Sequence, residues 1–238
     1  MNKTKLEEYQ DDLQGMLNIP EATMKVVGDP VIVYDFPING EIGEVSKYQG
    51  LFDVLHNATE NDVVILHINT RGGLLNTAQQ ICAEISSAAC AVIGDVVGEC
   101  SSAGTLIALS CQQLNIDPDA SFLFHSMSYG TGGIASHVES HVVHSKELMR
   151  RVAEKYYTGI LTDEEIANLI RGDQLYFFGD EIKRRLDLKQ EKEQQEEQEC
   201  ALKDMPIEAL EELSDEINTV LAEKYEALET EEDVVEEY

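Results

Sequence analysis

Four short segments of this chain hold residue types that can do acyl-transfer chemistry. Gly98-Glu99-Cys100-Ser101-Ser102-Ala103-Gly104 joins a β-branched run to an apolar helical one. A serine there sits among the orphan N–H groups of a helix start, which can stabilise a developing oxyanion. Asn69-Thr70-Arg71-Gly72-Gly73 makes the same strand-to-helix passage. Neighbouring strand ends of a parallel sheet lie at one edge, so this turn can offer a second N–H beside Ser102. His125 closes the apolar run SFLFH, and Asp173 follows Arg171-Gly172 at the end of a helical pattern. A nucleophile, a base and an orienting acid thus run in the order Ser, His, Asp. That order excludes the α/β-hydrolases, which run Ser, Asp or Glu, His, and here Cys100 stands at the first glycine of their G-x-S-x-G elbow. The chymotrypsin and subtilisin orders fail as well. Each residue also has a plainer account: serines cap helices, a histidine can be a satisfied half-buried side chain, and a carboxylate can face water. Ser101 is the adjacent rival to Ser102, and Asp180 is the rival to Asp173.

The elements that must position these residues alternate between two periods. Residues 31–36 (VIVYDF) read as a strand and 47–58 as a helix. Residues 62–69 (DVVILHIN) form a second strand, followed by the glycine turn and a helix from Leu74 to Ala89. Residues 90–98 form a third strand, 101–111 a short apolar helix and 121–125 a short strand. A glycine-rich extended stretch, SYGTGG, precedes a long helix over 134–157. The last helix of this part covers 162–170, with Thr162 as its cap and Glu165 completing a capping box. Near-continuous apolar strands separated by helices predict an α/β fold of repeated βα units, with a mostly parallel sheet covered on both faces.

Charge divides the chain unevenly. The 238 residues contain 46 Asp plus Glu against 17 Lys plus Arg, a net charge of −29. Such a surface repels phosphate, so neither a nucleic-acid partner nor an anionic membrane is expected. Residues 1–188 carry −14 and residues 189–238 carry −15. The division expected is an acidic helical segment over 1–29, a catalytic domain over 30–188 and an acidic, partly helical tail over 189–238. In the tail, Ile207, Leu210, Leu213, Ile217, Val220, Leu221, Tyr225 and Leu228 recur at steps of three and four, one apolar stripe in want of a partner surface. No apolar run reaches the roughly 18 residues of a spanning helix, and the start lacks a signal-peptide core, so a cytoplasmic protein is expected. The five cysteines form no CxxC pair and read as reduced thiols. His137, His141 and His144 share one helix face, but no Cys or carboxylate motif completes a metal site. No cofactor is expected.

INTRGG (68–73), GECSSAGTLIAL (98–109), FLFH (122–125) followed by SYGTGG, and GDQLYFFGDEIKRRLDL (172–188) resemble, in order and spacing, the proteolytic subunit of Clp protease. The resemblance covers residues 30–188. It implies the fold shared with the crotonases and a serine endopeptidase with Ser102 as nucleophile, His125 as base and Asp173 as orienting acid. The oxyanion donors it implies are the N–H groups of Gly72 and Ala103, with Gly73 the near alternative. Tyr129, Gly130, Gly132 and Gly133 match the stretch that lies along an extended substrate, and the following helix matches the handle that joins two rings. A homo-oligomer is implied, a heptameric ring or stacked rings. This chain departs from the family pattern in having Arg71 where a proline is usual, Ser-Met after His125, and an N-terminus unlike the family's axial loops.

Two settings suit these departures. One is a phage head maturation protease acting on capsid or scaffold proteins, and the other a cellular Clp-like peptidase working with a Clp ATPase. Two further classes compete with both. Enoyl-CoA hydratase relatives share the fold but need no serine nucleophile, and a catalytically silent copy could serve as an assembly module.

Overall fold

The structure, a computed structural model, describes residues 31–207 together with 209, 218 and 219. The expected helix over 1–29 lies outside the described residues, as does the apolar stripe of the tail beyond Ile207.

Alternate residues of 63–73 are buried, starting from Val64, Leu66 and Ile68, which is the period of a strand with one covered face. This strand, β2 (Val63–Gly73), lies between β1 (Val33–Ile42) and β3 (Ala91–Ser101), and both pairings are parallel. Three further strands, β4 (Gln113–Ile116), β5 (Ser121–His125) and β6 (Gln174–Phe178), complete a six-stranded sheet of order β1-β2-β3-β5-β6. The edge of β3 away from β2 is shared, with β4 alongside residues 93–96 and β5 alongside 99–101. Only β6 runs antiparallel, with Gln174 opposite His125. The fold is therefore α/β with a mostly parallel sheet, as the sequence predicts.

The helices are α1 (Gln49–Asn57), α2 (Leu75–Ser87), α3 (Ala103–Ala108), α4 (Ala135–Tyr156), α5 (Asp163–Arg171) and α6 (Gly179–Asp204). Leu51, Phe52 and Leu55 of α1 and Ala78, Ile81 and Ile85 of α2 join the even-numbered residues of β1–β3 in one core. The capping box of α5 forms as expected: Thr162 Oγ1 accepts from the Glu165 N–H, and the Glu165 carboxylate accepts from the Thr162 N–H. Gly172 ends that helix at φ 116°, a left-handed conformation that glycine adopts without steric cost.

The structure departs from the sequence reading in three places. Among the described residues the sheet is covered on one face only: Asp35, His67 and Val97 on the odd-numbered side are exposed while their neighbours in the chain are buried or half-buried. Here His67 lies between two carboxylates, with Nε2 2.9 Å from Asp35 and Nδ1 3.1 Å from Asp95. Those carboxylates hold its pKa above the ordinary histidine value. Second, β4 and β6 were not expected, because QLNI and QLYFF are too short to show a period. Third, α6 runs through Leu188 without a break, so the change in composition there falls inside one helix.

All five cysteines are free thiols. Burial pushes the Cys111 thiol up to about 12, which suits a packing role rather than a nucleophile. No described helix is long and apolar enough to cross a membrane, and no group of metal-ligating side chains occurs among the described residues.

Candidate active site

Ser102 stands between the end of β3 and the start of α3, and its backbone has φ 54° and ψ −123°. It is the one non-glycine residue with positive φ among the described residues. Such a conformation costs roughly 1–3 kcal/mol and persists only where the surroundings enforce it. Those surroundings are identifiable. The Ser102 N–H donates to the Leu123 carbonyl of β5 at 2.8 Å, and its own carbonyl accepts from Thr105 Oγ1 at 2.7 Å. A hydroxyl has one hydrogen, so Thr105 must accept from the Tyr157 hydroxyl, 3.0 Å away. Both Thr105 and Tyr157 are fully buried, which ties the start of α3 to the end of α4.

The glycine turn of β2 closes the other side. A Cβ on Gly72, at φ +93°, would lie 2.6 Å from Ser102 Cβ, so only glycine permits this approach. Gly104 is held in the same way, since a Cβ there would meet Thr70 Cγ2 at 2.5 Å. Thr70 is buried; its hydroxyl donates to the Gly40 carbonyl of β1 and accepts from the Gly72 N–H at 3.0 Å. The Gly72 amide is thus already engaged, and Gly73 is the turn glycine that faces the cleft beside Ser102 and Ala103. The rival serine is separated from the cleft: Ser101 is buried, and its hydroxyl donates to the Glu99 carboxylate at 2.9 Å.

The cleft has a volume of about 590 Å³ and holds Ser102 and His125 together. His125 Nδ1 lies 2.6 Å from the Ser126 carbonyl oxygen. A carbonyl can only accept, so Nδ1 carries the proton and Nε2 keeps the lone pair that a general base requires. Asp173 is not brought to the histidine in the same way. It is exposed, and its backbone N–H donates to the Asn168 carbonyl at 3.1 Å. No hydrogen bond joins its carboxylate to His125 among the described residues, although it directly precedes Gln174, the β-partner of His125. The rival Asp180 serves the first turn of α6, where its carboxylate accepts from the Glu181 N–H.

Tyr129 lines the cleft, whereas Gly130, Gly132 and Gly133 are exposed and belong to no strand in the single chain. The sequence reading missed the wall opposite Ser102. His141, His144, Leu148, Met149 and Val152 of α4 form it, with the tilted ring of Tyr129 5.2 Å from that of His141. Their spacing of three and four marks one helix face, but the spacing alone does not place that face against the cleft.

The family model for Clp protease matches residues 29–175, more than half of the chain and a span that includes Ser102, His125 and Asp173. The chain belongs to the Clp protease family. Comparison with curated proteins produced no significant match. Clp family membership makes this a peptidase, a hydrolase of peptide bonds, and proteins of the Clp family generally form oligomeric rings. The α/β architecture and its mostly parallel six-stranded sheet agree with that family's fold.

Proposed function

We propose that the chain is a serine endopeptidase in which Ser102 is the nucleophile and His125 the general base. The observation that carries this reading is the strained Ser102 backbone at a strand-to-helix junction, in one cleft with a histidine whose Nε2 is unprotonated. His125 Nε2 takes the Ser102 proton as Oγ bonds to the peptide carbonyl carbon. The resulting oxyanion is held by the N–H of Ala103, at the first position of α3, and by the turn glycines, with Gly73 better placed than the engaged Gly72. The C–N bond then breaks, and His125 hands its proton to the leaving amine. Water, deprotonated by the same nitrogen, releases the acyl group and restores Ser102. Asp173 acts by taking the Nδ1 proton contact from the Ser126 carbonyl, which holds it in the single chain.

Replacement of Ser102 by alanine is expected to lower peptide hydrolysis at least about 10,000-fold with the fold intact. A fluorophosphonate should label the native serine and not the variant. Unchanged turnover in Ser102→Ala, or equal loss in Ser101→Ala, would remove the assignment.

The working form is proposed to be a homo-oligomeric ring, heptameric or stacked. The open sheet face, with Val33 and Val97 exposed, and Val143 exposed on α4 support association. Residues 30–188 would form the peptidase and 189–238 an appendage that serves assembly or targeting, in a phage head or beside a Clp ATPase. Deleting 205–238 should then spare hydrolysis of a small peptide while altering the mass of the native particle.

A further inference from the structure

About one residue in five of this chain is acidic, yet none of the described residues lining the Ser102 cleft is Asp or Glu. The same holds for the adjoining cavity on the other side of His125, which shares Met127, Tyr129 and Met149 with the first. Apart from the phenols of Tyr129 and Tyr157, the ionisable side chains that line the two cavities are cationic or nitrogenous. Arg71 comes from the β2 turn, His141, His144 and Lys146 from α4, and Arg171 from the end of α5, around His125 itself. On a chain of net charge −29, the described lining of this cleft is free of carboxylates, with Asp173 standing outside both cavities in the single chain.

From this charge pattern we infer that the cleft selects peptides bearing Asp or Glu side chains beside the bond to be cut. The inference rests on the peptidase reading above and names the substrate class of that same site. The inner part of the cleft is apolar, with Leu106, Met149 and Val152 buried, and can take an aliphatic side chain or the stem of a glutamate. The outer part is exposed and nitrogenous. His144 and Lys146 are both exposed and make no hydrogen bond or ion pair with the protein among the described residues, so their donors face whatever enters. His141 is oriented by the Tyr129 ring and by Ser145, whose hydroxyl lies 3.4 Å from Nδ1; no protein group engages its Nε2. Arg71 is spanned to Glu41 at 3.6 Å, with both side chains exposed, a pairing weak enough for a substrate carboxylate to replace. A substrate carboxylate would gain charge-assisted hydrogen bonds here, while a lysine would meet the like charges of Arg71, Lys146 and Arg171. Attraction must come from the cleft itself, because the chain as a whole repels an anionic peptide at long range.

The test uses full-length protein at about 0.15 M salt, where long-range repulsion is screened. Fluorogenic peptides of one sequence carry Glu, Gln or Lys at each position flanking the bond cleaved. At one or more positions kcat/KM is expected to be about tenfold higher for Glu than for Gln, the factor one added charge-assisted contact supplies, and lowest for Lys. In His144→Gln/Lys146→Gln the Glu-to-Gln ratio should fall toward one. Equal cleavage of the Glu and Gln peptides by native protein, or a ratio untouched by the double variant, would overturn the inference. Failure of the peptidase reading looks different: no fluorophosphonate labelling and no cleavage of any peptide. Binding of fluorescein-tagged Glu and Gln peptides to Ser102→Ala tests the selection without turnover, and equal affinity there also overturns it.

Discussion

The two walls of the cleft are built to different standards. On the Ser102 side, β1, β2, β3, β5 and α3 converge, and each backbone conformation has a named constraint: the Leu123 carbonyl, the Thr105 and Tyr157 hydroxyls, and the close approach of Gly72. On the His125 side the strand stops at the histidine, the following glycines belong to no strand, and Asp173 stands apart in solvent. The Ser102 geometry is therefore a property of the single folded chain. His125 has its tautomer from the neighbouring carbonyl of Ser126 and no carboxylate partner among the described residues. In the proposed ring, the stiff half would lie inside the subunit and the adjustable half where substrate and neighbouring subunits could act on it.

The largest expected effect comes from breaking the stiff wall. Gly72→Ala places a Cβ 2.8 Å from the Ser101 carbonyl as well as against Ser102, at a φ that alanine resists. It should destabilise the fold by about 3 kcal/mol and abolish fluorophosphonate labelling, read by denaturant titration and intact mass. Gly130→Ala, at an open position on the other wall, is the control and should fold normally. The middle effect tests the adjustable wall. Because the Ser126 carbonyl can take Nδ1 back when the carboxylate is gone, Asp173→Asn should cost about 10- to 100-fold in kcat/KM, far less than Ser102→Ala. A loss as large as that of the serine variant would mean that the Ser126 carbonyl cannot stand in for the carboxylate.

The smallest effect concerns the clamp behind the adjustable wall. Arg185 of α6 meets Glu165 of α5 at 2.7 Å and lies over the Phe177 ring of β6 at 4.4 Å, and both charged side chains are largely buried. The guanidinium holds the Glu165 carboxyl below the usual glutamate range. A carboxyl depressed in the folded state contributes stability above its unfolded value, near 4.3, and loses it as pH falls through the folded value. Glu165→Gln should thus cost about 1–2 kcal/mol at pH 7, and the gap to native protein should close as pH drops below about 4 in thermal melts.

The same contrast explains what could be read from residues alone. Ser102 and its glycine turn end long apolar strands, His125 closes the short apolar run SFLFH, and chain order with spacing is enough to bring them to one sheet edge. The short strands β4 and β6 carry too few residues for a period to show, and the antiparallel turn of β6 depends on contacts distant in sequence. The sheet's open face escaped notice because Val33, Ile65, Ile93 and Val97 look like core residues in a linear reading. The lining role of His141 and His144 needed the path of α4 across the cleft, which no local pattern encodes.

Past Gln190, every described side chain of α6 is exposed, yet the helix continues to Asp204. At about 1.5 Å per residue that is roughly 22 Å of rod standing clear of the core. It acts as a ruler: whatever joins the chain after it is presented at a set distance from the peptidase and on a set side. Removing two residues from the rod would shorten it by only about 3 Å but swing its far end around the axis by about 200°. Function that depends on this extension should accordingly track deletion length with the period of a helix turn.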